Sequence, residues 1–166
     1  MSYLLAIDQG TTSTRCVVYD QQLNIVNSAQ QEYPLIYPED GWVEVNPSEL
    51  LASVYQTLDP MLDLSLEIVC AGITNQRETT LVWDVHSGEP VFNGIVWQDR
   101  RTAAHCNALK DQSLESVIQA KTGLLLDPYF SASKISWILN NVEGVRARAQ
   151  AGNLRFGTVD SFLLWH

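Results

Sequence analysis

Apolar residues change their spacing several times along the chain, and each change marks an element. Two short runs, Tyr3 to Ile7 and Cys16 to Tyr19, are rich in β-branched or aromatic residues and flank the polar stretch Asp8 to Arg15. They are too short for helices and read as strand, tight polar turn and strand. After the turn Gln21-Gln22-Leu23-Asn24, Ile25 to Gln31 reads as a third strand of an antiparallel meander. Tyr33 to Pro47 is irregular, with Pro34, Pro38 and Gly41, but its aromatic Tyr37 and Trp42 predict an ordered loop packed near the functional face. Asn46-Pro47-Ser48-Glu49 is a helix start, with Asn46 as cap and Pro47 in the first position. Leu50, Leu51, Val54, Tyr55 and Leu58 continue at helical spacing until Pro60, which ends or kinks the helix.

Glu67 to Ile73 contains the unbroken run Ile68-Val69-Cys70-Ala71, the pattern of a central strand covered on both faces. The helix before it is the crossover that a parallel neighbour requires. Thr79 to Trp83 reads as a strand, Asp84 to Pro90 as a turn around Gly88, and Val91 to Trp97 as extended. Helices are expected from Asp99, over Leu114 to Lys121 with Gly123 closing it, and over Ser131 to Val142 with the stripe Ile135, Ile138, Leu139 and Val142. A short basic helix over Val145 to Ala149, an extended Leu154 to Gly157 and a helix opened by Thr158-Val159-Asp160-Ser161 follow. Phe162, Leu163, Leu164 and Trp165 stand at the end of the chain after about one helical turn, and one turn is not stable alone. The chain is therefore expected to be cut within a domain, with Phe162, Leu163 and Trp165 exposed and prone to association.

The 166 residues suffice for one domain with a real core. A net charge of −9 without a Lys/Arg cluster argues against nucleic acid or an anionic membrane as partner. The densest basic spots, Arg100-Arg101 and the pair Arg146 and Arg148, are expected on solvated helix faces. Cys16, Cys70 and Cys106 are far apart and form no metal-ligand spacing or disulfide framework, which fits reduced thiols in the cytoplasm. Apolar runs reach only about five residues, far short of a membrane span. No signal peptide, internal repeat or low-complexity segment is apparent.

Three polar stretches carry chemistry. In the first, Gly10 is expected to take positive φ and admit a ligand closely, while Thr11, Thr12 and Ser13 offer hydroxyl and amide donors that suit phosphate oxygens. Arg15 adds a forked positive charge, and Asp8 reconciles with phosphate through a hydrated Mg²⁺. An ordinary polar hairpin turn carries the same residue types, so this stretch alone leaves both readings open. The second, Asn75-Gln76-Arg77-Glu78, ends an apolar strand; Arg77 donates and Glu78 accepts, which suits vicinal hydroxyls. The alternative is a hairpin tip with a surface ion pair worth under about 1 kcal/mol. The third, Asp127-Pro128-Tyr129-Phe130, is a rigid loop entering a helix; Tyr129 offers its ring and hydroxyl to a small polyol, or is simply a packed aromatic. No Gly-x-x-x-x-Gly-Lys-Ser/Thr loop is present.

These strings occur in one order with Gly41-Trp-Val-Glu44, Ile95-Val-Trp-Gln-Asp-Arg-Arg-Thr102 and Gly157-Thr-Val-Asp160. Over essentially the whole chain the sequence closely resembles the N-terminal part of the glycerol kinases, within the FGGY carbohydrate kinase family. The resemblance implies an α/β, actin-like and ribonuclease-H-like ATPase domain: a mixed five-stranded sheet, second strand antiparallel, flanked by helices and here incomplete over residues 1–166. It implies ATP and Mg²⁺ as cofactors and glycerol as the acceptor of the γ-phosphoryl group, giving sn-glycerol 3-phosphate. By position, Thr11, Thr12, Ser13 and Arg15 match the phosphate contacts and Asp8 the magnesium-associated carboxylate. Arg77, Glu78 and Tyr129 match the glycerol contacts, with Thr11 bordering them and Trp97 forming an aromatic wall; Asp99 receives no role. The base, an aspartate in a later Asp-Gln motif, and the adenine-binding domain are expected beyond residue 166. The chain alone is therefore expected to be inactive and to bind ATP weakly, and the parent enzyme to be a homo-oligomer. Another FGGY sugar kinase and a truncated, non-catalytic binding module are the alternatives. The intact set Asp8, Thr11, Arg77, Glu78 and Tyr129 favours a piece of a working enzyme.

Overall fold

Strands β1 (Ser2–Gln9) and β2 (Ser13–Tyr19) form the expected hairpin, and β3 (Ile25–Glu32) extends it antiparallel. The computed structural model describes residues 1–166. Alternation decides the faces. Leu5, Ile7 and Gln9 pair with Val18, Cys16 and Thr14, and all six are buried. Asp8 and Arg15, one residue out of phase, pair across the strands on the opposite, exposed face.

Two-residue strands β4 (Leu35–Ile36) and β5 (Glu44–Val45) lie within the irregular segment, which is ordered as expected. Helix α1 (Pro47–Leu62) starts where the sequence says: the Asn46 side chain accepts from Ser48 N at 2.9 Å. It runs two residues past Pro60, so that proline does not end it. Leu50, Val54 and Met61 bury one face of α1 against the sheet. Polar contacts inside this interface are paired: Thr14 Oγ1 with Ser53 Oγ at 2.6 Å, and the Cys16 thiol donating to Thr57 Oγ1 at 3.3 Å.

After α1, β6 (Glu67–Thr74) returns parallel to β1, giving the order β3-β2-β1-β6. This sheet has four strands rather than five, because Leu81–Asp84, the next strand, pairs elsewhere. The apolar run of β6 is not covered on both faces as expected: the strand sits at the sheet edge, with Val69 58% exposed. The helix α1 lies over β2 and β3, and only Ile68 and Ile73 of the β6 apolar residues pack against the core.

The second half is built on β7 (Leu81–Asp84), β8 (Gly94–Ile95), and helices α2 (Ala103–Asp111), α3 (Glu115–Thr122), α4 (Ser131–Asn141) and α5 (Val145–Gln150). Gly123 closes α3 at φ 76°, the left-handed cap that its position implied. Strand β9 (Leu154–Gly157) pairs with β7, and α6 (Val159–Trp165) ends the chain. Phe162 and Leu163 are buried, against expectation: α6 packs on the main core, with the Phe162 ring 5.5 Å from that of Trp83. Leu164 and Trp165 remain exposed.

The basic pair at the start of α2 also departs from expectation. Arg100 is exposed and pairs with Asp127 at 3.1 Å, but the Arg101 side chain is fully buried. Its guanidinium bonds Asp99 and Glu44, each at 2.8 Å from Nη2, and lies 4.0 Å from the Trp42 ring centroid and 4.5 Å from that of Trp137. Asp99 also accepts from Val43 N at 2.7 Å and Arg101 N at 2.9 Å. These bonds hold residues 99–102 in a turn, and the helix begins at Ala103 instead of Asp99.

Candidate active site

The turn between β1 and β2 is shaped from beneath. Gly10 N donates to Ser13 O at 2.9 Å, closing the turn, and a Cβ at residue 10 would stand 3.1 Å from that same oxygen. Gly10 does not take positive φ, so close backbone approach is what calls for glycine here. Under the turn lies a buried polar set. The Tyr33 hydroxyl donates to Gly10 O and accepts from Gln9 Nε2 at 2.8 Å and Gln76 Nε2 at 2.9 Å. Burial pushes the Tyr33 phenol up to about 12 against the opposing effect of these two amide donors, so it stays a donor. Thr11 and Thr12 are left facing outward, and neither backbone N–H has a partner in the protein.

Across from the turn stands a second wall. Trp97 Nε1 donates to Thr11 Oγ1 at 3.0 Å, and the Trp97 and Tyr129 rings meet edge to face at 6.0 Å. Tyr129 is set by its own N–H donating to Asp127 Oδ1 at 2.8 Å. Glu78 reaches the same loop: its Oε2 accepts from Ser131 N at 3.1 Å and Ser131 Oγ at 3.0 Å. It thereby caps α4, whose own N-cap residue Phe130 supplies no side-chain bond. Glu78 holds φ at 67°, a left-handed conformation that costs about 1 kcal/mol or more for a non-glycine residue. The fully buried Lys134, one turn into α4, donates to the Tyr129 carbonyl. Burial lowers its ammonium to about 8, while Glu78, Asp99 and Asp127 oppose that shift.

Thr11, Trp97, Tyr129 and Glu78 thus converge from four separate parts of the chain. Arg77 is exposed beside Glu78. Arg15 is not brought to the tip of the turn: its guanidinium lies along β3, donating to Gln30 Oε1 at 2.7 and 3.2 Å. The Ser13 hydroxyl accepts from Gln30 Nε2 at 3.1 Å. Asn75 belongs elsewhere, exchanging bonds with Asp160 at 2.8 and 3.3 Å and tying β6 to the start of α6. Asp8 stands alone, with no group of three or more acidic, His or Cys side chains around it. A single carboxylate suits Mg²⁺, which keeps its waters and takes phosphate oxygens, better than ions that need a protein cage.

The N-terminal domain profile of the FGGY family of carbohydrate kinases matches residues 3–166. The chain belongs to the FGGY family of carbohydrate kinases. Among curated FGGY relatives it is similar to a glycerol kinase of Marinomonas sp. (strain MWYL1), 55% identical over 98% of this chain and 34% of that protein. It is 56% identical to a glycerol kinase of Vibrio cholerae over 98% of this chain and 33% of that protein. Its fold is similar to part of a Plasmodium falciparum glycerol kinase solved with ADP, with a TM-score of 0.95 at 33% identity over 99% of this chain and 34% of the other. The FGGY chain therefore spans about a third of the length of the relatives it matches. No helix in it is long and apolar enough to cross a membrane.

Sequence reading gave no role to Tyr33, Gln9, Thr79, Lys134 and Ser131, which the structure places around this turn and wall. Each is buried or supports another residue from behind. Tyr33 sits 23 residues from Gly10 of the turn that it holds, and only the pairing of β3 with β2 brings it there.

Proposed function

We propose that this chain provides the phosphate turn and the polyol wall of an ATP-dependent glycerol kinase. The observation that carries the reading is the Trp97–Thr11 bond, which sets the wall of one ligand against the cradle of another. Relatives named glycerol kinase at about 55% identity support glycerol over the sugar substrates of other family members.

In this reading the Thr11 and Thr12 amides and the hydroxyls of Thr11, Thr12 and Ser13 receive ATP phosphate oxygens. Arg15 contributes positive charge from the sheet face. Asp8 holds Mg²⁺ through water, and the ion neutralises phosphate charge. Arg77 donates to and Glu78 accepts from neighbouring hydroxyls of glycerol, while Tyr129 and Trp97 pack on its carbon side. Such an arrangement acts by positioning and by electrostatics, which is the main demand of phosphoryl transfer. The adenine pocket and the base that takes the hydroxyl proton belong to residues outside these 166. A cytoplasmic homo-oligomeric parent completes the reading, and the three unbridged cysteines of this chain suit a reducing compartment.

The test is a chimera in which this chain replaces the matching N-terminal third of the Marinomonas kinase. It should release ADP in a glycerol-dependent manner, whereas the 166-residue chain alone should not. A folded chimera that ignores glycerol, or that prefers a pentulose or hexulose, would refute the reading.

A further inference from the structure

Three buried donors converge on one carbonyl. Gly10 O accepts from the Tyr33 hydroxyl, from Gln76 Nε2 at 3.1 Å and from Gln9 Nε2 at 3.3 Å. No peptide bond in the chain is cis. In a trans peptide the C=O and the following N–H point in opposite directions. Drawing Gly10 O inward therefore turns Thr11 N–H outward, to the side where the turn is open.

Gln76 is also held from the other direction. Its Oε1 accepts from Thr79 Oγ1 at 2.9 Å, and Thr79 Oγ1 accepts from Trp97 N at 3.2 Å. Trp97 Nε1 then returns to Thr11 Oγ1. The bonds close a ring: Gly10, Gln76, Thr79, Trp97, Thr11. Trp97 donates at both ends, to Thr79 and to Thr11, and because Gly10 O can only accept, the Gln76 amide nitrogen must face it and Oε1 must face Thr79. Gln76 is 6% exposed and Thr79 fully buried, so water does not compete for these bonds.

The geometry points to Gln76 as a positioning residue that sets the Gly10–Thr11 peptide for an anionic ligand and couples that turn to the Trp97 wall. This rests on the reading of Gly10 to Ser13 as a phosphate cradle. Beside the direct Trp97–Thr11 bond, Gln76 supplies a second, buried link: it bonds Gly10 O itself and reaches Trp97 N through Thr79, whereas Tyr33 bonds only the turn and Gln76. Order imposed on one half-site is thereby transmitted to the other.

The 166-residue chain, labelled with ¹⁵N, is titrated with inorganic tripolyphosphate and magnesium. In the wild type the Thr11 and Thr12 amide signals and the Trp97 indole signal move together. Tyr33→Phe and Gln76→Met weaken tripolyphosphate about five- to tenfold, the loss of one to two oriented hydrogen bonds. Thr79→Val frees Gln76 Oε1 but leaves Gln76 Nε2 on Gly10 O, so it weakens tripolyphosphate less than Gln76→Met does, and it uncouples the Trp97 backbone amide from the titration. In the chimera, Tyr33→Phe raises KM for ATP more than for glycerol, Thr79→Val does the reverse, and Gln76→Met raises both. A wild-type Thr11 amide that stays still at saturation overturns the proposal. So does a set of three variants that lower kcat alike with no KM split. An inactive unsubstituted chimera would count against the kinase reading, while the titration still decides the role of Gln76.

Discussion

Replacing Arg101 by Met tests how much of this half-site scaffold hangs on one buried cation. The guanidinium makes contacts of 2.8 to 3.0 Å to both oxygens of Asp99 and one of 2.8 Å to Glu44. It lies against both rings of the edge-to-face pair Trp42 and Trp137. Asp99 and Glu44 are 1% and 4% exposed, so neither recovers its hydration when the arginine is removed. Breaking a buried pair from one side costs about 3–5 kcal/mol, and the lost cation–π contacts add about 1 kcal/mol. Against this, Asp99 keeps its bonds from Val43 N and Arg101 N, and Glu44 keeps Asn93 Nδ2 at 2.8 Å. The net cost is thus about 4 kcal/mol, roughly a quarter or more of the stability of an ordinary domain. In thermal unfolding followed by circular dichroism, that corresponds to a Tm about 8–16 °C lower for a chain of this size. Arg101→Lys keeps the charge but not the fork or the stacking, and should fall between Met and wild type. Adding Asp99→Asn to Arg101→Met should cost less than the sum of the single changes, because the second change removes the stranded charge. An Arg101→Met variant within about 1 kcal/mol of wild type, or strict additivity in the double variant, would refute the reasoning.

Lys134 gives a pH signature. Its folded value of about 8 lies below its ordinary 10.5, so between these values the unfolded chain binds more protons and stability rises with pH. Measured against Lys134→Met, wild type should gain on the order of 3 kcal/mol from pH 7.5 to 10.5; a flat difference between the two sinks the assignment. Tyr33 acts oppositely: its contribution is complete below pH 10 and is lost as pH rises toward about 12, which Tyr33→Phe should abolish in alkaline melts. In the chimera, Glu78→Gln should lower kcat/KM for glycerol about 10- to 100-fold, the worth of a hydrogen bond to a charged group, and an unchanged value would remove Glu78 from the site. Gly94→Ala places a Cβ 2.9 Å from Val45 Cγ1 and should destabilise by about 1–3 kcal/mol in urea titrations, with Val45→Ala restoring part of the loss.

Local sequence determined the elements themselves. The alternation in β1 and β2, the Asn46-Pro47 start of α1, the Gly123 cap and the apolar stripe of α4 are short-range patterns whose physics is complete within a few residues, and they are where expected. The order of the polar strings was enough to mark the family, and the fold places Thr11, Trp97 and Tyr129 side by side, with Glu78 bonded to Ser131 in the loop after Tyr129. What local patterns do not contain is the identity of distant partners. Whether Arg101 meets water or a pair of carboxylates depends on Glu44 arriving from β5 and Trp137 from α4. Whether Phe162 and Leu163 are exposed depends on Trp83 standing beneath them, and whether β6 is central depends on which strands flank it. The polar groups beneath the Gly10 turn show the same limit. Gln9, Tyr33 and Thr79 each read as ordinary residues of a strand or loop, and Gln76 stood out only as part of a polar stretch, with no partner to be read for it. Only the tertiary fold removes water from all of them at once, and burial without water is what obliges them to bond one another and so orient the turn.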